Sequence, residues 1–170
     1  MDDWPGEKWL DIRNLAVLKP IMTKRARAAK ARGFDGIDWD NVDGYNQDDG
    51  TTGWPLTYAH QIAYNKMLAQ ITHDLGMVVG LKNDLDQLED LVGHFDFAVN
   101  EQAQAYKEQE RLQVFIKIGK PVVDLEYAWG AKKVCQVAKS TSPRVYVLYK
   151  DDMLGAGGFD CQKNRAIKTN

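Results

Sequence analysis

Gly33-Phe34-Asp35-Gly36-Ile37-Asp38-Trp39-Asp40-Asn41-Val42-Asp43-Gly44-Tyr45 begins as an apolar strand and ends in a knot of carboxylates. Helix-like sequence runs up to Gly33, a residue suited to a left-handed helix C-cap. Phe34, Ile37 and Trp39 then supply strand-forming bulk. Asp38 and Asp40 share parity, so on a strand their side chains leave the same face. Several acids at a strand end are costly unless solvent, a metal or a substrate uses them. An Asp/Asn/Gly-rich turn is the plain alternative, because these residues cap and turn for local reasons. The pattern recurs downstream, and that repetition decides the fold.

Upstream, Trp9-Leu10-Asp11-Ile12-Arg13 reads as a short strand with Asp11 and Arg13 on one side. Pro20 suits the first turn of a helix running to about Arg32. Residues 44–53 have loop composition, and Thr57 can N-cap a helix carrying Tyr64, Leu68, Ile71 and Leu75 at three- and four-residue steps. Met77–Leu81 is an apolar strand ending in Lys82-Asn83-Asp84. Leu88, Leu91, Val92 and Phe95 mark a short amphipathic helix. Phe95–Val99 is again a strand, ending in Asn100-Glu101-Gln102. A helix is expected from there to about Ile118, stopped by Gly119. Pro121–Leu125 is a strand ending in Glu126-Tyr127. A weaker helix leads to Arg144–Tyr149, read as the last strand, and the tail from Gly155 reads as irregular.

Alternating buried strands and helices make βα units with a parallel sheet, an α/β class. In such a sheet the strands' C-terminal ends share one edge, and in a barrel they converge on one mouth. Five polar clusters at five successive strand ends are hard to explain by turn chemistry, so a ligand site is expected there.

The 170 residues are 44% hydrophobic, enough for one sizeable core, and a single domain over 1–170 is expected. A formal net charge of -2 gives no basic footprint for nucleic acid. No apolar run reaches the length of a membrane span. The opening Met-Asp-Asp-Trp-Pro-Gly-Glu lacks the regions of a signal peptide. His60, His73 and His94 have no zinc-ligand spacing. Neither GxGxxG nor GxxxxGK[ST] occurs, which disfavours nucleotides. No metal or cofactor is expected. Paired carboxylates among amides and rings describe a glycosidase cleft, where one acid protonates the leaving oxygen and the other attacks or activates water.

Trp4–Arg13, Gly33–Tyr45, Leu56–Asn65, Val79–Asp84, Phe95–Gln102 and the Gly119–Tyr127 segment resemble the endo-α-1,4-polygalactosaminidase glycoside hydrolases over nearly all of residues 4–150. The resemblance implies a parallel (β/α) barrel of TIM type and secretion or surface display. It also implies endo-hydrolysis of α-1,4-linked galactosamine-containing polysaccharide without a metal. It places Asp40 and Glu101 in the active site, with Asp38 and Asp43 as alternatives to Asp40. Glu101 would be the general acid/base, its pKa raised by neighbouring carboxylates, and Asp40 the nucleophile or electrostatic stabiliser. Asp11, Arg13, Asp38, Asn41, Asp43, Tyr45, Lys82, Asn83, Asp84, Asn100, Gln102, Glu126 and Tyr127 would contact substrate. So acidic a cleft suits a cationic amino-sugar polymer.

Family members usually carry about three more strands ahead of Trp-Leu-Asp-Ile-Arg, so the chain resembles the C-terminal five-eighths of the barrel, incomplete at its N-terminus. An open sheet edge would then invite self-association. Where the family tends to have two cysteines, this chain has Ala103 and Gln109. Cys135 and Cys161 can form one disulfide, which spacing alone does not establish; the implied export favours the bond, which would tie the tail to the last helix. A truncated, non-catalytic carbohydrate-binding fragment is the second reading, and an α/β domain with incidental acids the third.

Overall fold

The computed structural model describes residues 5–47, 50–139, 144–151, 155 and 157–167. The chain forms two compact units, Met1–Phe95 and Asp96–Asn170.

In the first unit, helix α1 (Leu15–Ala31) starts where the Asn14 side chain accepts from the Val17 N–H at 3.3 Å. The cap sits five residues ahead of the expected start, so Pro20 lies inside the helix rather than in its first turn. There it removes one intrahelical hydrogen bond. The expected strand over Trp9–Arg13 does not form. Ile12 N–H donates to the Leu10 carbonyl at 3.0 Å and Asn14 N–H to that of Asp11 at 3.3 Å. Arg13 Nε binds Asp11 Oδ1 at 2.7 Å, closing the segment as a turn.

Strand β1 (Gly36–Trp39) pairs in parallel with β2 (Val78–Lys82), Gly36 opposite Val78 and Trp39 opposite Leu81. Gly36 permits this approach, since a Cβ there would lie 2.9 Å from the Val78 carbonyl oxygen. Helix α2 (Tyr58–Asp74) joins the two strands. Thr57 caps it through a capping box, its hydroxyl accepting from His60 N–H while His60 Nδ1 accepts from Thr57 N–H. Leu18, Met22 and Ala26 of α1 are buried, as are Tyr64, Leu68 and Ile71 of α2 and Val79 and Leu81 of β2. Helix α3 (Leu88–Leu91) closes the unit. The described part of the loop over residues 44–53 contains a helical turn at Gly44–Asn46, and its Asp48 and Asp49 lie outside the described residues.

In the second unit, β3 (Phe97–Glu101), β4 (Val122–Glu126) and β5 (Val145–Tyr149) pair in parallel, with Glu101 opposite Leu125 and Glu126 opposite Tyr149. The single helix expected over 103–118 is two short ones, α4 (Ala103–Tyr106) and α5 (Gln113–Lys117). Lys107, at φ 61°, turns left-handed and ends α4. Leu112 and Phe115 still face inward. Helix α6 (Ala131–Ala138) precedes β5. The tail is not irregular: β6 (Gly158–Asp160) and β7 (Arg165–Ile167) form an antiparallel hairpin, and β6 pairs antiparallel with β5. Cys135 of α6 is disulfide-bonded to Cys161, with Cα atoms 4.9 Å apart. Ordered pairing there uses the turn Cys161–Asn164, in which the Asp160 carboxylate accepts from the Lys163 N–H at 2.9 Å. The strand–helix alternation and parallel pairing within each unit are the α/β architecture expected.

Candidate active site

β1 to β4 are each followed, within three residues, by left-handed backbone: Asn41 (φ 56°), Asn83 and Asp84 (49° and 47°), Gln102 (59°) and Trp129 (69°). Such conformations cost on the order of 1–3 kcal/mol each and persist where surroundings over-determine them. They turn the chain sharply at the strand ends that carry the acids.

In the first unit, Lys82 Nζ lies 3.0 Å from Asp40 Oδ1. The lysine side chain is 8% exposed and that of Asp40 68%, so a buried cation supports a solvent-facing carboxylate. Asn41 N–H also donates to Asp40 Oδ1, at 3.0 Å. A cavity of about 480 Å³ opens beside Asp40 and Asn41, with Trp9, Trp39, Gln61 and Tyr64 among its walls. Asp38 is exposed on β1. Asp43 is half-buried ahead of the helical turn carrying Tyr45, whose ring meets Tyr58 edge-on at 5.5 Å. Burial, then the charge of Asp84, push the Tyr45 hydroxyl up. Asp84 itself is 3% exposed and accepts from Asn65 Nδ2 at 2.9 Å. Burial and the Asp43 charge outweigh that bond and lift its carboxyl to about 8. Asn83 is half-buried between Lys82 and Asp84. Asp11 and Arg13 pair with one another, and the guanidinium lies 5.5 Å from the Trp54 ring.

In the second unit, the Tyr127 hydroxyl donates to Glu101 Oε1 at the end of β3. Asn100 is buried, its amide donating to Glu108 Oε2 at 3.2 Å. Gln102 Nε2 donates to the Tyr106 hydroxyl at 3.3 Å. Glu126, expected at a sugar-facing surface, is fully buried, and its Oε1 accepts the Gln104 N–H at 2.6 Å. Burial raises its pKa. Asp124, two residues earlier on the same face, is 1% exposed and lifted to about 7 by burial and by Glu126.

Lys82, Asp84, Asn100 and Glu126 thus stand behind the strand ends, whereas Asp40 is open to solvent and Glu101 partly so. Asn65, Gln104, Glu108 and Asp124 were not legible as site residues. Only Asp124 left a signal, its shared parity with Glu126 on an otherwise apolar strand.

The model of glycoside hydrolase family GH114 matches residues 1–166. The chain belongs to that family. A crystal structure of Aspergillus fumigatus Ega3 in complex with galactosamine superimposes with a TM-score of 0.80 at 34% identity, over 91% of this GH114 chain. The match bears out the α/β strand order of the family's barrel fold. This chain spans 64% of the length of the Ega3 chain. Among curated proteins none matches.

Proposed function

We propose that this GH114 chain is a glycoside hydrolase that cleaves α-1,4-linked galactosamine-containing polysaccharide internally, with residues 1–170 as one (β/α)-barrel domain and Asp40 and Glu101 as its two working carboxylates. The observation that carries the reading is the recurrence of one arrangement. Each unit ends a parallel strand in a carboxylate that a neighbouring strand's polar side chain fixes, Asp40 by Lys82 and Glu101 by Tyr127. Glycoside hydrolysis uses two carboxyl groups, one as acid and one as nucleophile or base. Glu101 gives its proton to the leaving glycosidic oxygen, while Asp40 attacks the anomeric carbon or stabilises the positive charge developing on it. Water completes the cycle, adding hydroxyl to the anomeric carbon and returning a proton to the acid. The galactosamine bound to Ega3 supports an amino-sugar substrate, and the acid-rich strand ends, with Asp38, Asp43 and Asp86 nearby in sequence, suit a cationic chain. The Cys135–Cys161 bond supports an extracellular setting, where disulfides persist.

The alternative outcome is carbohydrate binding without hydrolysis. Chain-length analysis of an α-1,4-galactosamine polymer incubated with the protein separates the two. The wild type is expected to shorten the polymer, and Asp40→Asn and Glu101→Gln to slow it by about a hundred- to ten-thousand-fold with fold and binding kept. Glu101→Gln retaining more than about a tenth of the rate would overturn the assignment. Binding without any shortening by the wild type would make the binding-only reading the correct one.

A further inference from the structure

Four consecutive residues of β4 and its end, 124–127, hold the turn that leaves β3. The Leu125 carbonyl accepts from Gln102 N–H at 2.7 Å. Glu126 Oε1 accepts from Gln104 N–H at 2.6 Å, and Asp124 Oδ2 from Gln104 Nε2 at 3.2 Å. Tyr127 donates to Glu101 itself. The turn needs such a hold, because Gln102 sits at φ 59° and Lys107 at 61°.

Asp124 and Glu126 leave β4 on one face and both hold Gln104, one through its side-chain amide and the other through its backbone N–H. Both are buried, so ionising the two together is costly. Asp124 Oδ1 and Glu126 Oε2 are buried without a hydrogen-bond partner, which disfavours the ionised form of each group. Around the pair stand Glu108, whose charge opposes ionisation of Glu126, and Asn100 and Tyr149 in register on the flanking strands. Glu101, in register with Leu125, leaves the opposite face, where Tyr127 donates to it.

We propose that Asp124 and Glu126 are positioning residues that clamp the turn after β3 and thereby fix the direction of the Glu101 carboxyl. The inference rests on the role given to Glu101 above. Ionising both leaves two buried carboxylates that repel, and the turn loosens as pH rises. In Asp124→Asn the side chain stays uncharged at every pH, while its oxygen still accepts from Gln104.

The test joins amide hydrogen exchange at Gln102 and Gln104 with kcat and KM on the galactosamine polymer between about pH 5 and pH 9. Glu126→Ala is expected to speed exchange at Gln104 at least about tenfold and to lower kcat about ten- to a hundredfold, with KM within about twofold. Asp124→Asn is expected to move the alkaline limb of the kcat profile upward by about one pH unit or more. Unchanged exchange in Glu126→Ala overturns the clamp, as does faster exchange with kcat unmoved. So does an Asp124→Asn profile whose alkaline limb coincides with that of the wild type. A wild type that never cleaves the polymer defeats the hydrolase reading instead, and exchange at Gln104 in Glu126→Ala then decides the clamp by itself.

Discussion

Asp84 is where pH acts most directly on the first unit. Its carboxyl is buried beside Asn65 and Asp43 and titrates near 8, against 3.8 for an unburied aspartate. The folded protein therefore holds a proton that the unfolded chain gives up between those two values. Stability is greatest below about pH 4 for this group and falls as pH rises to about 8, at up to about 1.4 kcal/mol per pH unit. Asp84→Asn removes the titration and keeps the shape. Urea unfolding at pH 5, 7 and 9 should show a flatter profile for the variant, which should exceed the wild type at pH 9. Asp84 was legible as one of a run of polar residues closing a strand. Its burial was not, because that depends on Asn65 of α2, an amide that helical periodicity marks as inward without saying what it meets. Tyr127 was readable only as a ring near a strand end, and its bond to Glu101 needed the pairing of β3 with β4.

Capping shows how much a single side chain contributes to an element. Thr57 and His60 satisfy each other's backbone N–H at the start of α2. Thr57→Ala should cost about 1 kcal/mol, read as a lower thermal midpoint with activity kept at room temperature. Thr57 was readable because a threonine before an apolar periodic run is a start signal by chemistry alone. The continuous apolar strands were equally plain, since burial on both faces leaves no alternation to misread. Two of the misread elements lost their expected pattern to side-chain partners. Residues 103–118 contain neither Gly nor Pro, yet the chain breaks after Tyr106, where Lys107 turns left-handed and Glu108 is engaged by Asn100. Trp9–Arg13 alternates like a strand, but the Asp11–Arg13 pair closes it into a turn.

At the scale of the whole chain, the Cys135–Cys161 bond closes a loop of 26 residues that contains β5 and β6. Replacing both cysteines by serine should lower unfolding free energy by roughly 3 kcal/mol. Limited proteolysis of that variant should cut first around the β6–β7 hairpin, which the bond anchors. Also distributed along the chain are the left-handed residues that follow β1 to β4, namely Asn41, Asn83, Asp84, Gln102 and Trp129. Glycine adopts such backbone without strain, and β-branched residues adopt it worst. In a library of random coding changes scored for folded protein, these five positions should therefore invert the usual tolerance profile. Glycine, a loss almost everywhere else in a helix or strand, would be enriched there, and valine and isoleucine purged. The strand ends would thus be marked by a record of accepted replacements, legible from sequencing counts without any substrate in hand.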